Sequence, residues 1–121
     1  MAQQILVIED NVDSRESLRD LLTSMGCEII EATSGPQGVC AAATHGPDLI
    51  LMDLHLPGLD GYEATRRIKA HPALGHIPII AVTSYALSGD DVKAFQAGCD
   101  GYVAKPFTPH TLLATIRTYL A

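Results

Sequence analysis

Basic residues are scarce in this chain: 8 lysines and arginines stand against 14 aspartates and glutamates, a net charge of -6 at pH 7. That balance excludes a general nucleic-acid or anionic-membrane binder, which needs a basic face. Charge of either sign is sparse, at 18% of residues, so acids that gather in one place stand out. Cysteine is limited to Cys27, Cys40 and Cys99, an odd number without a CxxC pair, which suits reduced thiols in a cytosolic protein. No apolar run approaches the length of a membrane span. Met1-Ala2-Gln3-Gln4 leads straight into Ile5-Leu6-Val7-Ile8 with no signal-peptide pattern. Linkers, repeats and low-complexity stretches are also missing. The expectation is a cytoplasmic protein and one domain over residues 1–121, with 47% apolar residues to fill one core.

The most informative stretch runs from Leu49 to Gly61. Leu49-Ile50-Leu51-Met52 is a continuous apolar run, the pattern of a strand buried on both faces. It ends on a carboxylate, Asp53, and then on a turn containing Pro57, Gly58 and Gly61. Around it the chain alternates short apolar runs with helical patterns. Strands are predicted at Gln4 to Ile8, Glu28 to Ala32 (weaker, towards an edge), Leu49 to Met52, Ile77 to Val82 and Gly101 to Ala104. Helices follow each. The first carries Leu18, Leu21, Leu22 and Met25 at helical spacing before Gly26. Ser34-Gly35-Pro36, Asp60-Gly61-Tyr62-Glu63, Ser88-Gly89-Asp90-Asp91 and Thr108-Pro109 start the others. The fourth is expected to turn Val92 and Phe95 inward, and the fifth to carry Leu112, Leu113, Ile116 and Leu120. Five β-then-α units require right-handed crossovers and a parallel sheet covered on both faces. The alternation does not itself fix the strand order, and the order expected is 2-1-3-4-5, one of the common doubly wound arrangements.

In that order the carboxyl ends of strands 1, 3, 4 and 5 present Glu9 and Asp10, Asp53, Thr83 and Lys105. Carboxylates about 4 Å apart repel by roughly 4 kcal/mol per pair at an effective dielectric near 20. Left alone, one acid stays protonated at neutral pH. The alternative is a divalent cation, and all-oxygen ligands suit Mg2+ or Mn2+. A carboxylate, a hard cation, a lysine and a hydroxyl at one point are the parts of a phosphoryl-transfer site. Each residue has a plainer explanation alone: a helix entry for Glu9 and Asp10, a loop cap for Asp53, a satisfied strand hydroxyl for Thr83, a solvated Lys105. Four such coincidences at successive strand ends are less economical than one site. His45, His71, His76 and His110 show no ligand spacing, and the cysteines have no histidine to activate them.

The sequence resembles the receiver domain of two-component response regulators from Gln4 to Leu120. The matching residues are Ile8-Glu9-Asp10, Leu51-Met52-Asp53 with Pro57-Gly58-Leu59-Asp60-Gly61, Val82-Thr83-Ser84 and Lys105-Pro106-Phe107, and the intervals from Asp53 to Thr83 and Lys105 also fit. The resemblance implies a flavodoxin-like α/β fold, a doubly wound five-stranded parallel sheet. It implies that Asp53 accepts a phosphoryl group from a sensor histidine kinase or histidine phosphotransfer protein. Asp10 and Asp53 would ligate Mg2+ directly, Glu9 mainly through water, and His55 through its backbone carbonyl. Thr83 and Lys105 would assist the transfer. Thr83 and Tyr102 would form the switch that alters the face of the fourth helix, fifth strand and fifth helix for a downstream target protein. A cis Lys105-Pro106 bond is part of the same expectation. His55 and Tyr85 occupy variable family positions that affect hydrolysis; with Tyr85 bulky, slow self-hydrolysis is expected.

Three other readings fare worse. A haloacid-dehalogenase-type phosphatase needs a second acid two residues past the nucleophile, where His55 stands, and a substrate-covering cap. A flavin or nucleotide binder needs a phosphate cradle after strand 1; Glu9-Asp10 repels phosphate, and no GxGxxG occurs. A receiver-like docking module without phosphorylation leaves the complete acid, threonine and lysine set unexplained. The chain is accordingly read as a switch and not an enzyme with an external substrate. With no output domain in the sequence, the expectation is either a stand-alone regulator acting by protein contact or a domain cut from a longer protein.

Overall fold

The structure, a computed structural model, describes residues 2–83 and 89–120. Strands and helices alternate as β1 (Gln4–Ile8), α1 (Val12–Ser24), β2 (Glu28–Ala32), α2 (Gly35–His45), β3 (Leu49–Asp53), α3 (Gly61–Ala70), β4 (Ile79–Thr83), α4 (Asp90–Ala97), β5 (Gly101–Ala104) and α5 (Pro109–Leu120). Every strand pair is parallel, and the order is β2-β1-β3-β4-β5. The doubly wound α/β fold expected from the alternation is the fold observed.

The period-2 geometry of the strands divides the interior into two half-cores. Leu6, Ile8, Ile50, Met52, Ile79 and Ala81 meet Ala42, Ala64, Ile68 and Ala94, from α2, α3 and α4. The alternate residues Ile5, Val7, Leu49, Leu51, Ile80 and Val82 meet Leu18, Leu22, Leu112 and Ile116, from α1 and α5. Within β1, β3 and β4 the runs Ile5 to Ile8, Leu49 to Met52 and Ile79 to Val82 are apolar because both faces of the sheet are covered there. β2 lies at the edge, as its weaker pattern implied, with Glu28 exposed. Its Glu31 is 3.5 Å from Arg15 and 3.4 Å from Arg19, both on α1.

Local signals set most helix ends. Asn11, Ser34 and Asp60 cap α1, α2 and α3 by accepting from the backbone N–H groups of Ser14, Gln37 and Glu63. Gly46, in the left-handed region, ends α2. α4 departs from expectation. Its N-cap is Gly89 (φ 90°), without a side-chain cap, and Ser88 lies outside the described residues. Val92 and Phe95 do not point inward: they are 54% and 50% exposed. The inward stripe is Asp90, Ala94 and Ala97, small side chains that let the helix sit close to the sheet. β4 begins at Ile79 rather than Ile77. Pro78, which has no N–H to donate, precedes the strand, and its carbonyl accepts from Ile50 at 2.9 Å.

Candidate functional site

The strand register places the predicted residues together. Ile8 is level with Met52, Asp53 with Val82, and Thr83 with Ala104. Glu9, Asp53, Thr83 and Lys105 therefore emerge at the same end of four adjacent strands, where an open α/β sheet leaves its crevice. Oxygen atoms of Glu9, Asp10 and Asp53 lie within 4.8 Å of one another. Glu9, Asp53 and Thr83 are buried and Asp10 is exposed. A cleft of about 270 Å³ opens over the three acids, lined also by Asn11, Ser14, His55 and Lys105.

Each acid is held by its own set of groups. Lys105 Nζ donates to Glu9 Oε1, and its charge acts on Asp53 as well. The Asn11 N–H donates to the other Glu9 oxygen at 3.3 Å, and Arg15 Nη1 donates to the Glu9 carbonyl at 3.1 Å. His55 donates its backbone N–H to Asp53 Oδ1 at 3.1 Å. The Gly61 N–H closes the loop after β3 onto the Leu54 carbonyl at 3.1 Å. Lys105 leads into a cis bond to Pro106, as the resemblance implied.

The electrostatics follow from crowding. Burial pushes the Asp53 carboxyl up, the hydrogen bond and charge of Glu9 push the same way, and the His55 N–H and Lys105 only partly oppose them; the result is about 7. Burial acts on Glu9 too, but the hydrogen bond to Asp53 and the hydrogen bond and charge of Lys105 outweigh it and hold Glu9 below its ordinary value. The proton that repulsion among the acids requires thus resides on Asp53 up to near neutrality.

Tyr102 is half-buried and packs on the side of the sheet covered by α2, α3 and α4, outside the acidic cleft. Burial, and then the charges of Asp90 and Asp91, raise its hydroxyl. Tyr85 lies outside the described residues. Sequence reading missed Arg15 and Asn11 as supports of Glu9, and treated Asp90 only as a helix-start residue. Asp90 is in fact a buried acid that accepts from the Tyr62 hydroxyl at 3.1 Å, 28 residues away in the chain. No local pattern signals a contact of that kind.

Three crowded acids beside a lysine at the switch point of a parallel sheet are the kind of site that suits phosphoryl chemistry. The sequence pattern of the response regulator receiver domain matches residues 5–117, and the chain belongs to that family, the phosphorylatable switches of two-component signalling. It is 40% identical over 120 residues to the polar-differentiation response regulator DivK of Brucella ovis, covering 99% of this chain and 98% of that protein. Among solved structures it resembles the receiver domain of sensor histidine kinase PA1611 from Pseudomonas aeruginosa PAO1, with TM-score 0.92 and 39% identity over 99% and 98% of the two chains. That structure has a magnesium ion coordinated in its active-site cleft. A CheY-like receiver domain protein from Methanospirillum hungatei JF-1 superposes with TM-score 0.90 at 30% identity, over 99% and 94% of the chains. No helix among the described residues is long and apolar enough to cross a membrane.

Proposed function

We propose that Asp53 is the phosphoacceptor of this receiver, that Glu9, Asp10, Asp53 and the His55 carbonyl hold Mg2+ (or Mn2+), and that Thr83 and Tyr102 carry the response to the α4-β5-α5 face. The observation that carries this reading is the convergence of three acid oxygens within 4.8 Å beside Lys105. The donor is a phosphohistidine on a sensor kinase or phosphotransfer protein. A carboxylate oxygen of Asp53 forms the new P–O bond as the P–N bond to the donor imidazole breaks, and the imidazole nitrogen keeps the electron pair. When bound, the metal neutralises the crowded carboxylates and the charge on the phosphoryl oxygens. Lys105, a fixed ammonium at the rim, and Thr83, a buried hydroxyl, supply further stabilisation. The protein assists its own phosphoryl transfer and hydrolysis and turns over no external substrate. One domain spanning 1–121 acts in the cytoplasm through a downstream target protein, without binding nucleic acid or membrane. Val92 and Phe95, exposed on α4, supply the apolar surface such a target needs.

The metal assignment has a pH signature. A carboxyl whose folded value is raised contributes stability that is complete below 3.8 and lost as pH rises through about 7. The metal-free protein therefore loses stability across that window. Mg2+ must displace the Asp53 proton, so its affinity is expected to fall by up to about tenfold per pH unit below pH 7 and to level off above it. Isothermal titration across that range checks this; a flat profile removes Asp53 from the ligand set.

The switch has its own test. In wild type, Mg2+ with beryllofluoride, a phosphoryl mimic, should shift the amide resonances of Tyr102 to Ala104. Thr83→Ala should still load at Asp53 and lose most of that β5 response. Equal shifts in the two proteins would refute the Thr83–Tyr102 coupling.

A further inference from the structure

Asp90 is a buried carboxylate that the transfer chemistry does not use. It opens α4, and its side chain is 7% exposed. A carboxylate withdrawn from water is costly unless it is partnered, and two of the partners of Asp90 come from other parts of the fold. Tyr62, in the first turn of α3, donates its hydroxyl to Oδ1 at 3.1 Å. Burial and then this hydrogen bond and the Asp90 charge push the phenol up to about 12, so it keeps its proton for the contact. His55 places Nε2 3.6 Å from Oδ2. The same His55 donates its backbone N–H to Asp53 Oδ1. One residue therefore has its main chain on Asp53 and its imidazole on the first residue of α4.

We propose that Asp90 is a positioning residue that ties the loop after Asp53 to α4 through His55 and Tyr62, so that a change at Asp53 moves the start of α4 directly. The proposal rests on Asp53 being the phosphoacceptor. A phosphoryl group brings about -1.5 to -2 charge and new acceptor oxygens beside the His55 N–H. That N–H re-aims with its main chain, and the imidazole follows. At 3.6 Å the His55–Asp90 contact is longer than a hydrogen bond, so it can tighten in one state and part in the other. Tyr62 holds Asp90 against α3, so the movement is passed to the helix and not spent on rotating the Asp90 side chain. This route bypasses Thr83 and Tyr102.

The test compares amide shifts of Asp91 to Ala97 with and without Mg2+ and beryllofluoride in wild type, Asp90→Ala, Asp90→Asn and Tyr62→Phe. Loading is verified by the fluorine signal of the bound mimic. In Asp90→Ala the α4 response should fall to about half or less of wild type while Tyr102 to Ala104 keep theirs. Asp90→Asn, which retains an acceptor for Tyr62 and a polar partner for the imidazole, should restore part of it. Because coupling is reciprocal, Asp90→Ala should also shift the Asp53 and His55 amides in the unloaded protein. An α4 response in Asp90→Ala equal to wild type overturns the proposal. Should that variant fail to fold, Tyr62→Phe decides in the same way. If wild type takes up no beryllofluoride, the phosphoacceptor reading falls; the unloaded comparison still judges the linkage, and unmoved Asp53 and His55 amides overturn it.

Discussion

Asp53→Asn is expected to abolish uptake of a phosphoryl group from a small acyl phosphate in the presence of Mg2+. Intact mass would show no gain, against one phosphoryl group on wild type. The expectation follows from what the other acids are doing. Glu9 is occupied by Lys105 and the Asn11 N–H, and Asp10 stands exposed at the rim. Asp53 alone combines burial, a place at the end of the central strand and a backbone donor that fixes one oxygen. A carboxamide keeps the shape but has no anionic oxygen to attack phosphorus. A stoichiometric adduct on the Asn variant would move the phosphoacceptor elsewhere.

Gly61→Ala should be the most damaging small substitution near the site. A Cβ there would lie 2.2 Å from the Asp53 carbonyl oxygen and 2.6 Å from the Leu54 Cα. Both are main-chain atoms, so no rotamer change relieves the clash. α3 or the loop after β3 must shift, and that loop positions Asp53 and His55. Overpacking of this kind costs about 1–3 kcal/mol, and sometimes more. Urea unfolding should show a lower midpoint, and Mg2+ affinity should fall with it. Full stability and metal affinity in this variant would mean that the close approach of α3 to β3 does not shape the site.

Much of this was legible in the sequence because strand ends are local features. An apolar run stops on a particular residue, and parallel topology then brings successive stops to one edge. Glu9, Asp53, Thr83 and Lys105 could be placed on that basis. The failures have a different physical origin. Val92 and Phe95 form an apolar pair at helical spacing, but spacing does not say which stripe faces the sheet. Ala94 and Ala97 permit the closer approach, and the larger side chains are left outside. The Tyr62–Asp90 contact joins two helices through side chains alone, which no periodicity records.

The edge position of β2 bears on how the protein behaves at high concentration. An edge strand offers unpaired backbone groups to any second strand that approaches, the usual beginning of ordered aggregation. This strand is five residues long and carries two glutamates, Glu28 and Glu31. Bringing two copies edge to edge would confront like charges along a short seam, and would disturb the Arg15 and Arg19 pairings of Glu31. The same strand also reaches the acidic cleft, since Glu31 pairs with Arg15, which donates to the Glu9 carbonyl, and the Glu9 N–H donates to the Ala32 carbonyl. Substitutions at Glu31 would therefore bear on solubility and on the support of Glu9 together.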